Sequence, residues 1–296
     1  MLSRLKGIIT ALVTPFHDNG EVNYEELSRM IDFQIAANVN AVVFGGTTGE
    51  GMLIENIDNF YEKAINLVNK RILCGVSIFG LRKSEIINKI NLYNSLNCDF
   101  YLIYTPYYLF TSKDGVIEYF KLINELVNKP FILYYNPVRT GQLISYSVWD
   151  YLLKLDKLIG IKDASKDAYT FNYLLKNKKE KLYFSGCDDA YLKDRILGSD
   201  GIVSTLSNAY PSNFVYIEEN IKNGNYKNAK ERYDLLYDLI KISTVEPNPI
   251  CIKYILEEKG FMTNNLLFPL KRISLINQKK VKLIMEGVKD ENFNSR

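Results

Sequence analysis

Eight short runs of β-branched and aromatic residues punctuate the chain: Ile8 to Val13, Ala41 to Phe44, Ile72 to Phe79, Phe100 to Tyr104, Phe131 to Tyr135, Leu158 to Lys162, Leu182 to Phe184 and Ile202 to Leu206. Between most of them the apolar positions switch to helical spacing. Tyr24 to Ala37 sets Leu27, Met30, Ile31 and Ile35 on one face, and Gly115 to Val127 does the same with Ile117, Phe120, Ile123 and Leu126. Strands that are apolar throughout are strands buried on both faces, and successive starts 20 to 33 residues apart leave room for one strand, one crossover helix and two short loops. Eight such units predict an α/β fold, a closed (β/α)8 TIM barrel. An open doubly wound sheet would show fewer repeats and a GxGxxG turn after its first strand, and neither occurs.

After Leu206 the pattern is helical only: Pro211 to Ile221, Tyr226 to Ile242, Pro249 to Glu258 and Gln278 to Val288. One of these closes the barrel. The expected division is a catalytic barrel over residues 1–225 and a C-terminal helical region over 226–296, packed on it because no low-complexity linker separates them.

Composition narrows the chemistry. The balance of 37 Lys+Arg against 34 Asp+Glu gives a net charge of +3, with the signs interleaved, so no basic stripe tracks a nucleic-acid backbone or an anionic membrane. No apolar stretch approaches the roughly 20 residues that span a bilayer. Cys74, Cys98, Cys187 and Cys251 lie far apart without a CxxC spacing, and the N-terminus has no secretory pattern, which points to the reducing cytoplasm. The single histidine, His17, lies in a turn-like HDNG stretch, where histidines are usually only solvated; Ser-His-Asp or Cys-His chemistry would have to use it, and a zinc site of several histidines is impossible.

Barrels of this kind place their sites at the C-terminal ends of the strands. Strand six ends in GIKDAS, and Lys162 is the only Lys or Arg within any of the eight apolar runs. A desolvated lysine becomes the neutral amine that attacks a ketone to form a Schiff base; the same residue could instead extend to solvent or pair with Asp163. Strand two ends in GGTTGE, whose glycines, Thr47 and Thr48 suit a carboxylate, or merely close a turn. Strand five passes from Tyr134 and Tyr135 into NPVRTG with Arg139, a proton relay and a carboxylate clamp, or a core aromatic and a surface arginine. Tyr107 and Tyr108 follow strand four in TPYY, where packing or an interface is the plainer role. Asp188 and Asp189 after strand seven have the chemistry of general acid/base partners or metal ligands, but two acids without a histidine or a third acid nearby are usually a solvated loop, and they are left unassigned; Cys187 beside them reads as a quiet thiol, and EPNPI at 246 to 250 as a helix start with Asn248 as N-cap and Pro249 as first helical residue.

Together these segments resemble the dihydrodipicolinate synthase and N-acetylneuraminate lyase family of pyruvate-dependent Schiff-base barrels. The likeness runs from GIITALVTPF at residues 7 to 16, through GGTTGE, TPYY, YYNPVRTG, IGIKDAS and SGCDD, to EPNPICIK ending at Lys253. It implies that Lys162 forms the imine with pyruvate, that Tyr134 and Thr47 relay protons, and that Tyr108 reaches across a subunit interface to complete a neighbour's relay. It implies further that Thr48 holds the pyruvate carboxylate and that backbone groups of Gly186 and Val203 line the pocket. Arg139 resembles the clamp that the synthases use for the carboxylate of aspartate 4-semialdehyde. The implied reaction is condensation of that aldehyde with pyruvate to 4-hydroxy-tetrahydrodipicolinate on the lysine and diaminopimelate route, with no metal or cofactor, in at least a dimer and by family habit a homotetramer built as a dimer of dimers. The double glycine of GGTTGE is closer to the lyase branch, so N-acetylneuraminate or a 2-keto-3-deoxy-sugar acid is the alternative substrate, and a barrel that has lost its chemistry and only binds is the third reading.

Two stretches depart from the synthases. SIFGL from Ser77 to Leu81 stands where a GxGxN pattern is usual, and Met52, Asn56 and Asn59 stand where lysine-sensitive enzymes carry a small residue and histidines, leaving Glu85 as the surviving feature of that regulatory pocket. Lysine titrated into an activity assay is therefore expected to inhibit weakly or not at all; strong inhibition would contradict this reading.

Overall fold

The eight apolar runs form strands because burial on both faces leaves a β-branched or aromatic run no better arrangement than a covered parallel ladder. In the computed structural model, which describes residues 2–288, they are β1 Gly7–Ala11, β2 Ala41–Phe44, β3 Leu73–Ile78, β4 Phe100–Tyr104, β5 Phe131–Tyr135, β6 Leu158–Asp163, β7 Leu182–Ser185 and β8 Gly201–Ser204. Every strand residue is buried except the half-buried Ile159. Each strand pairs in parallel with the next, and β8 pairs with β1 to close the barrel. The seam admits only glycine at one point: Gly201 lies at φ +152°, and a Cβ there would meet the Gly7 carbonyl oxygen at 2.0 Å.

The crossover helices begin where side chains satisfy their first N–H groups. Asn23 caps Tyr24–Ala36, Ser112 caps Lys113–Leu126 and Asp167 caps Ala168–Asn177. Pro211–Lys222 packs on β1 and completes the outer ring.

Several boundaries differ from the apolar pattern, most by a residue or two. β1 ends at Ala11 although Leu12 and Val13 remain buried, since burial continues past the ladder. β8 ends at Ser204 because the Thr205 and Leu206 N–H groups donate to the Asp188 carboxylate instead of a neighbouring strand. The helix expected from Pro249 begins at Ile250; the Asn248–Pro249 bond is cis, and Asn248 does not cap it.

Beyond the ring, Tyr226–Ile242, Ile250–Glu258 and Leu275–Gly287 form the helical region; residues 289–296 of the expected appendage lie outside the described residues. Tyr226–Ile242 packs on Pro211–Lys222, and Tyr233 donates to the Asp188 carbonyl at 2.9 Å. A second tie is a fully buried ion pair between Glu50, at the end of GGTTGE, and Lys253. Lys253 also donates to the Asn265 carbonyl at 2.7 Å and lies 4.2 Å from the centre of the Phe16 ring, while the Leu267 N–H donates to Glu50 at 2.8 Å. Burial pushes the Lys253 pKa down to about 8 against the pull of Glu50, and burial raises that of Glu50. Removing one partner strands the other charge in the interior. Lys253→Met is expected to lower unfolding stability by about 3–5 kcal/mol, and adding Glu50→Gln to recover most of it; an unchanged urea midpoint in the single variant would contradict the account.

Candidate active site

A cavity of about 760 Å³ opens at the C-terminal ends of the strands, lined by Lys162, Tyr134, Tyr104, Thr47, Thr48 and Arg139 among others. Strand register assembles its floor. Tyr104 on β4 pairs with Tyr134 on β5, which pairs with Lys162 on β6. Residues opposite each other on adjacent strands face the same side of a sheet, so the three side chains form one row. The Tyr104 and Tyr134 rings meet edge-on with centroids 4.9 Å apart, and Lys162 Nζ sits 4.4 Å from the centre of the Tyr134 ring.

Lys162 is 8% exposed, and among the described residues no carboxylate lies within ion-pair distance of it. Asp163, its neighbour in sequence, is occupied elsewhere: it accepts from the Tyr183 hydroxyl and the Ser165 N–H, each at 2.7 Å. The pairing of Lys162 with Asp163 considered from sequence does not occur.

The GGTTGE loop is held by its glycines and by its surroundings. Gly45 adopts φ +67° where a Cβ would collide with the Tyr61 ring, and the Thr14 hydroxyl donates to the Gly49 carbonyl at 2.7 Å. The loop sets Thr47 beside Tyr104, hydroxyl to hydroxyl at 3.4 Å. Thr48 is buried, 3.4 Å from the Thr205 hydroxyl, and accepts from Asn248 Nδ2 at 2.9 Å.

Past β5, Asn136 holds two groups at once. Its Oδ1 accepts from the Arg139 N–H, capping the short helix Pro137–Thr140, and its Nδ2 donates to the Tyr134 hydroxyl at 2.8 Å. Arg139 is exposed at the cavity rim.

The strand-seven loop is not the solvated acid pair expected. Asp188 accepts from the Ser204 hydroxyl and from two backbone N–H groups, and burial raises its pKa, with Lys162 pulling the other way. Asp189 remains exposed, paired with Lys166. Burial pushes the Cys187 thiol up to about 12, which leaves almost no thiolate near neutral pH. His17 is exposed and outside the cavity.

The profile of the Dihydrodipicolinate synthetase family matches residues 4–287. The chain belongs to that family. It is 30% identical over 293 residues to the 4-hydroxy-tetrahydrodipicolinate synthase of Protochlamydia amoebophila (strain UWE25), covering 97% of this chain and 98% of that one. It is 33% identical over 290 residues to the synthase of Rickettsia bellii (strain OSU 85-389), covering 96% and 97%. Among solved structures it resembles the dihydrodipicolinate synthase from Aquifex aeolicus, with a TM-score of 0.92 at 27% identity over 97% of this chain and 98% of that one. A structure described as the first monomeric dihydrodipicolinate synthase variant also scores 0.92, at 26% identity over 97% and 98%.

Measured against the family resemblance, the fold gathers Lys162, Tyr134, Thr47, Thr48, Arg139 and Gly186 around one cavity. Val203 is buried on β8 outside the lining. Tyr108 is 80% exposed at φ +68° and does not line the cavity of its own chain, whereas Tyr107 lines an adjoining recess of about 260 Å³ with Met52, Leu53 and Leu270. Glu85 is engaged by Lys89 at 2.9 Å and the Leu81 N–H, and Asn56 is spent capping Ile57–Val68.

The residues that sequence reasoning passed over are Tyr104, Asn136 and Asn248. Tyr104 ends an apolar strand and reads as core, Asn136 reads as a turn residue, and Asn248 reads as an N-cap. Only alternation counted back from the strand ends would have set Tyr104 in the same row as Tyr134 and Lys162.

Proposed function

We propose that this chain condenses pyruvate with L-aspartate 4-semialdehyde through a Schiff base on Lys162, releasing 4-hydroxy-tetrahydrodipicolinate. The observation that carries this reading is a nearly buried lysine, unpaired by any described carboxylate, over the ring of a tyrosine in the mouth of a barrel of this family. The relatives compared carry the synthase name, so the sugar-acid lyase and binding-barrel readings are not favoured. Lys162 Nζ attacks the pyruvate ketone carbon, the C–N bond forms, and the carbonyl oxygen leaves as water to give an iminium. Loss of a methyl proton turns this into the enamine, whose carbon adds to the aldehyde; cyclisation then frees the lysine. Each of these steps moves a proton, and Tyr134 with Thr47 supplies the hydroxyls that carry it.

Thr48 receives the pyruvate carboxylate. Its oxygen already accepts from Asn248, so its own proton is available to donate. Backbone groups of Gly186 close the pocket behind the substrate. Arg139, free at the rim, takes the carboxylate of the incoming aldehyde.

The barrel over residues 1–225 is the catalytic unit and the helices of 226–296 its appendage, which reaches the cavity through Asn248. A homotetramer, a dimer of dimers, is supported by the exposed loop at Tyr108, Leu109 and Phe110, which a second copy would cover. The four free cysteines and the absence, among the described residues, of a helix long and apolar enough to cross a membrane support a place in the cytoplasm.

Borohydride added with pyruvate should fix a reduced adduct on Lys162, read by peptide mass spectrometry; no adduct, or one on another lysine, would overturn the assignment. Arg139→Ala should trap pyruvate normally yet lose roughly 10- to 100-fold in kcat/KM for the semialdehyde, the worth of a charge-assisted hydrogen bond.

A further inference from the structure

A lysine on a helix surface gains little from a single ion pair, but Lys89 is held by three groups at once. It lies on the helix Lys83–Tyr93, where its Nζ donates to Glu85 Oε1 at 2.9 Å and to the Phe79 carbonyl at 2.8 Å, and it sits 4.4 Å from the centre of the Phe79 ring. Carboxylate, carbonyl and ring face together make a cage for an ammonium: the first two accept N–H bonds and the third presents its negative face. The sealed Lys253 has the same three kinds of partner in Glu50, the Asn265 carbonyl and Phe16. Lys89 differs in being reachable from solvent, its side chain 20% exposed. The backbone is shaped to the cage. Gly80 lets the end of β3 close on Glu85, since a Cβ there would stand 3.0 Å from the Glu85 carboxyl carbon, and the Leu81 N–H holds the second carboxylate oxygen at 3.2 Å. Phe79 is buried, and its ring stands edge-on to that of Tyr104 with centroids 6.0 Å apart. Tyr104 meets the Thr47 hydroxyl at 3.4 Å in the cavity wall, so Phe79 is shared between the cage and the active-site row.

We propose that Glu85 and Phe79 form a binding site for a primary ammonium, that Lys89 keeps this site filled from within the chain, and that Phe79 carries its occupancy to Tyr104 and Thr47. A tethered ammonium competes with a free one at an effective concentration on the order of millimolar or more, so a free amine below that level does not displace it. The weak response to lysine expected from the sequence thereby acquires a physical cause: the carboxylate that would receive a free ammonium already holds a tethered one. Removing Lys89 reverses the situation. The cage then accepts a small alkylammonium from solution, and without one the Phe79 carbonyl loses the donor that fixes it. Lys89 touches no substrate atom in this scheme; it is a positioning residue acting through Phe79.

Chemical rescue tests this, because the part of the side chain that Lys89→Ala removes has the shape of propylammonium. Full-length native protein, Lys89→Ala, and Lys89→Ala combined with Glu85→Gln are assayed for condensation as propylammonium is raised through the millimolar range, with 1-propanol as a probe of like shape without charge. Native rates at each amine concentration correct for reaction of the amine with the carbonyl substrates. Lys89→Ala should lose roughly 3- to 10-fold in kcat/KM for pyruvate, the worth of a partly exposed ion pair with a cation–π contact, and propylammonium should restore most of it. Propanol should restore nothing, and neither should propylammonium in the double variant. Native kcat/KM in Lys89→Ala, no response to the amine, or equal rescue by propanol would each overturn the inference. If Lys89→Ala does not fold, Lys89→Met keeps the stem without the charge and should show the same loss; native kcat/KM there would overturn it as well. The assay rests on the Schiff-base reading above, whose own failure is told apart by absence of borohydride trapping on Lys162 in the native protein.

Discussion

The register between β4, β5 and β6 is the constraint on which the site depends. A parallel barrel fixes which residues stand side by side, and a slip of one position in any of these strands would turn its own member of the row, Tyr104, Tyr134 or Lys162, out of the cavity. Because each strand is held on both edges and covered on both faces, such a slip is blocked by the entire core rather than by any local contact. Lys162 Nζ thus sits at an edge-paired tyrosine without an ion pair among the described residues, an arrangement that an isolated strand could not hold.

Around that row, distant parts of the chain are drawn in by polar bonds. Asp188 takes the amides of Thr205 and Leu206, so the loops after β7 and β8 are fastened to each other at the cavity rim. Glu50 and Lys253 fasten the GGTTGE loop to the helical region, and Asn248, five residues before Lys253, reaches Thr48 itself. The Glu50–Lys253 pair is fully buried, where an unpaired group costs most, while the other bonds are part-buried at the cavity wall. The appendage is accordingly part of the wall of the site, through Ile240, Ser243, Thr244 and Asn248.

Much of the fold is legible in the amino-acid sequence because double burial leaves an unambiguous mark, a run such as Phe131 to Tyr135 without a polar break. Strand ends are less legible: Leu12 and Val13 look like strand because they are buried, although the ladder has stopped, and β8 stops for an acid that lies sixteen residues earlier. The site divides in the same way. Lys162 stands out as a charge in an apolar run, and Thr47, Thr48 and Arg139 sit in loops whose residue types announce polar work. Tyr104 and Asn248 do not, since an aromatic at a strand end and an asparagine before Pro249 each have an adequate local explanation. Their partners, Thr47 and Thr48, are supplied only when the barrel closes.

The central claim is that closure of the barrel turns Lys162 into the nucleophile for pyruvate. A crystal structure of the protein soaked in pyruvate tests it most directly. The account predicts continuous density from Lys162 Nζ into a three-carbon adduct whose carboxylate lies against Thr48, with the Tyr134 hydroxyl beside the imine. Pyruvate bound without a covalent link to Lys162, or held at a different lysine, would contradict it.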